Sequence, residues 1–99
     1  QPGSPLLGFS YDGVGRSLLA LGRSREAEAE LERAAGLKPG DDTVVADIQF
    51  GLARAMWANG QDRARARVLA LEAKKTFEGL NYARRVAAVS LWLSEPGRN

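Results

Sequence analysis

Apolar residues recur along this chain at steps of three and four, the spacing that places side chains on one face of an α-helix. Turn-forming glycines and prolines interrupt the pattern and divide it into five segments. β-branched residues are few and stand at helical spacings, so no segment indicates a strand. We therefore predict an all-α fold with short loops and antiparallel consecutive helices. The predicted helices cover about 9–21, 24–38, 43–58, 62–77 and 81–94.

Glycines and cap residues mark the predicted helix ends. Gly22 is expected to stop the first helix in a left-handed conformation, and Ser24 to cap the second. Pro39 and the glycine after it should end the second helix. The third is predicted to begin at a cap within 41–43 and to close at Asn59-Gly60, while Asp62 caps the fourth and Gly79 breaks the chain after it.

The predicted core is the set of apolar stripes on these helices. In chain order the stripes are Tyr11, Val14, Leu18 and Leu21; Ala27, Leu31, Ala34 and Ala35; Val45, Ile48, Leu52, Ala55 and Met56; Ala66, Leu69, Ala70 and Ala73; and Tyr82, Val86, Val89 and Leu93.

The chain contains neither Cys nor His. Disulfides, thiolate zinc sites, histidine metal sites and a Ser-His-Asp triad are therefore excluded within it. The GVGRS run at 13–17 is not a nucleotide-binding motif, because it has no preceding strand and no third glycine. Hydrolase motifs are also missing. We expect no enzyme activity, no metal and no cofactor.

Charge is unevenly divided between the two halves. Residues 1–49 carry a net charge of −3 and residues 50–99 a net charge of +5. This polarity favours an electrostatic protein partner or an oriented stack over nucleic acid. No apolar run is long enough for a membrane span, and no signal peptide is recognisable. We therefore expect a cytoplasmic location. Because the chain starts at Gln1, we also expect it to be a segment of a longer protein.

An internal repeat is visible at an offset of 38 residues. Helix-ending Gly22 and Gly60 both precede a short polar turn. The aligned pairs are Val14 with Leu52, Gly15 with Ala53, Arg16 with Arg54, Leu18 with Met56 and Leu31 with Leu69.

The first unit resembles the tetratricopeptide repeat family. All eight places of the family pattern are matched, by Tyr11, Val14, Gly15, Leu18, Ala27, Leu31, Ala34 and Pro39. The second unit fits less well, since Gln49, Arg65 and Glu72 replace an aromatic and two alanines. The resemblance implies stacked helix pairs in a right-handed superhelix.

The chain divides accordingly. Proline and glycine residues predict flanking tails at 1–8 and 96–99. Between them the resemblance implies repeat units at about 9–40 and 43–78 and a capping helix at about 80–94. The sequence from 50 onwards is similar to the end of repeat arrays attached to large bacterial serine/threonine protein kinases, although no kinase motif is present. This likeness suggests a regulatory or docking tail.

Repeats of this family usually bind extended peptides on the concave face formed by the first helix of each pair. Carried over by position, that face consists of Phe9, Asp12, Arg16 and Leu19 in the first unit and Asp47, Phe50, Arg54 and Trp57 in the second. The aligned arginines are suited to hold a carboxylate or phosphate, and the aromatics to anchor a partner. The alternative is that both aromatics are ordinary packing residues and both arginines are solvated.

Two charged stripes are weaker candidates. The glutamates at 26, 28, 30 and 32 spread around one helix, so we expect a solvated face and not a metal cage. Arg63, Arg67 and Lys74, with Arg84-Arg85 further on, suit phosphate groups. They are more readily explained as a solvated face, or as partners for acidic helices of an adjoining copy.

The sequence thus predicts an interaction scaffold that binds a peptide or partner domain in a shallow groove. Self-assembly, in which the module stacks on other repeats or on another copy, is the alternative.

Overall fold

The structure, a computed structural model, describes residues 22–38 and 40–95 of the chain. Within this part it contains only α-helices, which confirms the predicted all-α class. The helices are α1 (Ser24–Gly36), α2 (Asp42–Asn59), α3 (Arg63–Gly79) and α4 (Ala83–Ser94). The helix predicted over 9–21 and both predicted tails lie outside the described residues, so the count of five helices stays a prediction.

Consecutive helices pack against each other in antiparallel order. The start of α1 lies beside the end of α2, where the Ser24 hydroxyl donates to Asn59 Oδ1 at 2.6 Å and Asn59 Nδ2 donates to the Ser24 carbonyl at 3.3 Å. Arg85, near the start of α4, binds Asp47, near the start of α2. The helices α2 and α4 therefore run in the same direction, with α3 opposed to both.

Most of the predicted helix ends agree with the structure. Asp41 caps α2 by accepting hydrogen bonds from the backbone N–H groups of Thr43 and Val44, at 2.8 and 3.4 Å. Asp62 accepts from the Arg65 N–H at 3.3 Å and caps α3. Gly60 ends α2 with a φ of 69°, a left-handed conformation that glycine adopts without steric cost. Gly22 has the expected positive φ, 77°.

Three predicted boundaries were wrong. Ser24 is the first residue of α1 and not its cap, because its hydroxyl is used by Asn59; Arg23 precedes the helix without a capping side chain. The helix α1 ends at Gly36, before Pro39, and Lys38 turns the chain with a φ of 51°. The last helix begins at Ala83, after Asn81 has taken a φ of 62°.

The buried side chains form two clusters. The larger joins α2, α3 and α4 through Ala46, Ala53, Met56, Ala66, Ala70, Ala73, Phe77, Val89 and Trp92. The smaller joins α1 to α2 through Leu31, Ala34, Val44, Ile48 and Leu52. Leu69 of α3 is half-buried and packs against both clusters. The predicted stripes supply most of this core, but Ala35 and Tyr82 are exposed and Val45 is only half-buried.

Candidate functional site

One face of α2 carries the second half of the predicted groove. Its four residues are separated by steps of three, four and three, so they follow one side of the helix. All four are half-buried; they are Asp47, Phe50, Arg54 and Trp57. This face is directed towards α4 and the start of α3. The first-unit positions of the predicted groove, Phe9, Asp12, Arg16 and Leu19, lie outside the described residues.

Asp47 is engaged by the chain itself. Arg85 Nε donates to Asp47 Oδ1 at 2.9 Å, and Arg85 Nη2 donates to Oδ2 at 3.2 Å, in a two-pronged pair. The Arg85 guanidinium also lies 5.7 Å from the ring centroid of Phe77 and 5.5 Å from that of Tyr82. The pair ties α2 to α4, so Asp47 serves packing between helices rather than offering an open acid to a ligand.

Phe50 and Trp57 meet a common partner, Trp92 of α4. The ring centroids of Phe50 and Trp92 are 5.9 Å apart, and those of Trp57 and Trp92 are 5.8 Å apart. Both pairs are edge-to-face, at 85° and 79°, a geometry that the ring quadrupoles favour. Trp92 is only 9% exposed, whereas its two partners are half-buried. Phe50 and Trp57 are thus packing residues that also form part of the surface.

Two arginines lie over the half-buried rings of Phe50 and Trp57. The Arg54 guanidinium is 5.7 Å from the Phe50 centroid, and the Arg63 guanidinium is 5.0 Å from the Trp57 centroid. Within residues 22–38 and 40–95, neither arginine forms an ion pair with a carboxylate. Because the N–H donors of a guanidinium lie in its plane, an arginine that stacks on a ring retains donors for an anionic group.

Phe50, Arg54, Trp57 and Arg63 together form what we call the arginine face. Sequence reasoning placed three of its residues and assigned Arg63 to a separate basic stripe. It also missed Trp92, which supports the face from below. The available signal was that Trp92 follows Val89 by three residues, on the buried side of the same helix.

The acidic stripe of α1 is divided among separate partners. Glu26 pairs with Arg23, the Glu28 carboxylate accepts a hydrogen bond from Asn59 Nδ2 at 2.7 Å, and Glu32 lies 3.7 Å from Arg65. Among the described residues no group of three acidic, histidine or cysteine side chains is placed to hold a metal ion. None of the four described helices combines the length and apolar character that a membrane crossing requires.

Comparison with known proteins identifies no relative of this chain. No protein-family model matches the chain, and searches of curated proteins and of solved structures find no match.

Proposed function

We propose that this chain is a protein–protein interaction module of the tetratricopeptide type, which binds an acidic peptide or an acidic segment of a partner domain on the arginine face. The observation that carries the proposal is the pairing of Arg54 with Phe50 and of Arg63 with Trp57, on one surface and without carboxylate partners in the described part of the chain. Each pair offers a carboxylate a charged donor beside an apolar ring.

The setting of the module is part of the same proposal. The antiparallel order of α1 to α4 is what stacked helix pairs require, and it supports a right-handed superhelix continued by the unit predicted over 9–40. The likeness of the second half to kinase-linked repeat arrays supports a regulatory or docking tail of a larger bacterial signalling protein, acting in the cytoplasm. No catalytic step is assigned to the chain.

The geometry supports weak, salt-sensitive binding. Arg63 is exposed and Arg54 is half-buried, so their attraction to a carboxylate is partly screened by water and salt. The rings of Phe50 and Trp57 pack against Trp92, and this packing limits the apolar area that remains for a ligand. Affinity in the micromolar range or weaker, falling as salt is added, is the expected behaviour.

A direct test uses a fluorescein-labelled peptide that alternates Glu with Leu, followed by anisotropy. We expect the chain to bind this peptide and the Arg54→Ala/Arg63→Ala variant to bind it about tenfold more weakly or not at all. Arg33→Ala is the matched control, because Arg33 is an exposed arginine of α1 away from the arginine face. It should bind the peptide as the parent chain does.

Two results would count against the proposal. Equal binding by the double variant and the parent chain would show that the arginine face is not the site. Equal binding of a peptide that alternates Lys with Leu would show that the attraction is apolar and not selective for acid. Trp57 supplies an internal check, because a ligand held beside Arg63 should change its fluorescence.

The alternative role is structural, in which the module stacks on other repeats or on another copy of the chain.

A further inference from the structure

A groove opens between α1 and α3, with α2 beneath it and a volume of about 390 Å³. Its floor is apolar and consists of Val45, Ile48, Leu52 and Leu69. Val45 and Leu69 are only half-buried, so the floor is accessible from outside. Leu52 follows Phe50 by two residues, about 160° around the helix, so the groove lies on the other side of α2 from the arginine face. We call it the α1–α3 groove.

The pair of Glu32 and Arg65 marks one end of the groove. Their charged groups lie 3.7 Å apart, and both side chains are about half exposed, at 44% and 50%. Leu31, the residue before Glu32, packs against Gly51, so the pair lies level with the part of α2 that contributes Leu52. An exposed ion pair of this kind contributes little to stability. The carboxylate of a ligand is therefore able to replace Glu32 beside Arg65.

Lys38 marks the other end. It follows the last residue of α1, and α1 runs antiparallel to α2, so Lys38 lines the groove together with Val45. It forms no ion pair with another described residue. Val45 and Leu52 are seven residues apart on α2, which is two helical turns or about 10 Å. The groove is therefore a short apolar surface with a basic side chain at each end.

The groove has an excess of positive charge, both in its lining and in its walls. The lining contains two basic residues, Lys38 and Arg65, and one acidic residue, Glu32. The wall α1 carries four acidic and two basic residues, and the wall α3 carries two acidic and five basic ones. Asp42 lies one turn before Val45, outside the lining and near the Lys38 end. An acidic ligand is thus favoured, most strongly at Arg65.

We propose that the α1–α3 groove binds an amphipathic helix of a partner protein, in which leucine side chains stand between two acidic residues about two turns apart. The leucines pack on the apolar floor, and the acids pair with Arg65, in place of Glu32, and with Lys38. Two turns of helix span the same 10 Å that separates the ends of the groove. This site goes beyond the proposed function and shares no residue with the arginine face.

A second copy of this chain fits the groove less well. Leu71 of α3 is 46% exposed, and a basic residue stands four positions to either side of it. Leu91 of α4 is 70% exposed and stands between a basic residue, Arg84, and one acid, Glu95. Either face would bring positive charge to a basic end of the groove. The occupant is therefore a partner with an acidic helix and not another copy of the described part.

The test uses a helical peptide that carries two glutamates two turns apart, with leucines between them on the same face and a cross-link on the opposite face. It is added to the Arg54→Ala/Arg63→Ala variant of the full chain, so that the arginine face does not contribute. Amide NMR shifts follow the titration. We expect weak, salt-sensitive binding. Glutamine in place of both glutamates should weaken it about fivefold, and alanine in place of the leucines about tenfold or more.

Substitutions in the groove give effects of opposite sign. In the same background, Arg65→Gln should weaken binding about threefold, whereas Glu32→Gln should strengthen it about twofold because Arg65 loses its competing acid. Arg67→Gln is the matched control, since Arg67 is an exposed arginine of α3 outside the lining, and it should leave binding unchanged. All three side chains reach solvent, so circular dichroism should show unchanged helicity.

Each contrary outcome overturns the inference. A folded Arg54→Ala/Arg63→Ala variant that binds no peptide has no such site, while binding by the parent chain would still support the arginine face. Equal affinity for the glutamate and glutamine peptides would show that the groove does not select an acidic partner. Weaker binding by Glu32→Gln would show that Glu32 supports the ligand and does not compete with it.

Discussion

Among the glycines of the described part, Gly51 is the one at which an added Cβ would contact a neighbouring side chain. A Cβ at this position would lie 3.0 Å from Leu31 Cδ1 and 3.3 Å from Leu31 Cδ2. Leu31 is fully buried, and it belongs to the cluster that joins α1 to α2. The side chain therefore has little room to move away, and the missing Cβ is what lets the two helices pack at this distance.

We predict that Gly51→Ala lowers the free energy of unfolding even though alanine is the better helix former. Helix propensity alone would add about 1 kcal/mol, but overpacking a buried site costs about 1–3 kcal/mol. Gly79→Ala is the control, since nothing lies within 4 Å of its added Cβ, and it should raise the free energy by about 0.5–1 kcal/mol. Urea unfolding of the three proteins checks this, and equal gains at both positions would contradict it.

For single residues, the sequence predicted burial well where helical spacing alone places the residue on the core face. Ala27, Ile48 and Ala70 were placed in the core from spacing alone, and all are buried. It failed at Trp92, because the stripe assigned to the last helix was centred one residue away from the side that α2 and α3 cover. A pattern of small and β-branched residues defines the direction of the buried face only within tens of degrees. The packing of the neighbouring helices then determines which side chains at the margin of that face are buried.

The helix α2 has a capping residue at each end. The helix α2 begins at an aspartate, Asp41, that satisfies the N–H groups of Thr43 and Val44. Its end is closed by Gly60 in a left-handed conformation. The longest described helix, 18 residues, therefore has local signals at both ends, and these signals were readable in the sequence.

We predict that Asp41→Ala destabilises the fold by about 1 kcal/mol, because two N–H groups of α2 lose their acceptor. Asp41→Asn should cost only a few tenths, since asparagine is an equally good cap. Thermal unfolding of both variants separates the cap from the charge. If Asn and Ala at position 41 are equally destabilising, the negative charge and not the hydrogen bonds accounts for the effect.

The start of α1 could not be read in this way. Ser24 matches the cap preference, yet its hydroxyl is drawn to Asn59, which lies 35 residues further along the chain. The same limit applies to the arginine face. The residues of α2 were carried over from the family resemblance through the repeat offset. The contact of Arg63 with Trp57 depends instead on the direction in which the three-residue turn after α2 sends α3.

Across the described part of the molecule, α2 is the element that both clusters share. It contributes Ile48 and Leu52 to the cluster with α1, and Ala53 and Met56 to the cluster with α3 and α4. Leu69 alone among the half-buried side chains packs against both clusters. Stability in such a linear stack is carried by contacts between neighbours, so the outer helices are able to open while the middle stays folded.

This arrangement predicts how amide hydrogen exchange responds to core truncation. Val89→Ala removes packing from the larger cluster only, so exchange should quicken in α4 more than in α1. Leu69→Ala removes a side chain shared by both clusters and should quicken exchange in α1 and α4 together. The middle of α2 should remain the slowest in both variants. Equal acceleration of α1 and α4 by Val89→Ala would instead show that the helices unfold as one cooperative unit, with no step in which an outer helix opens alone.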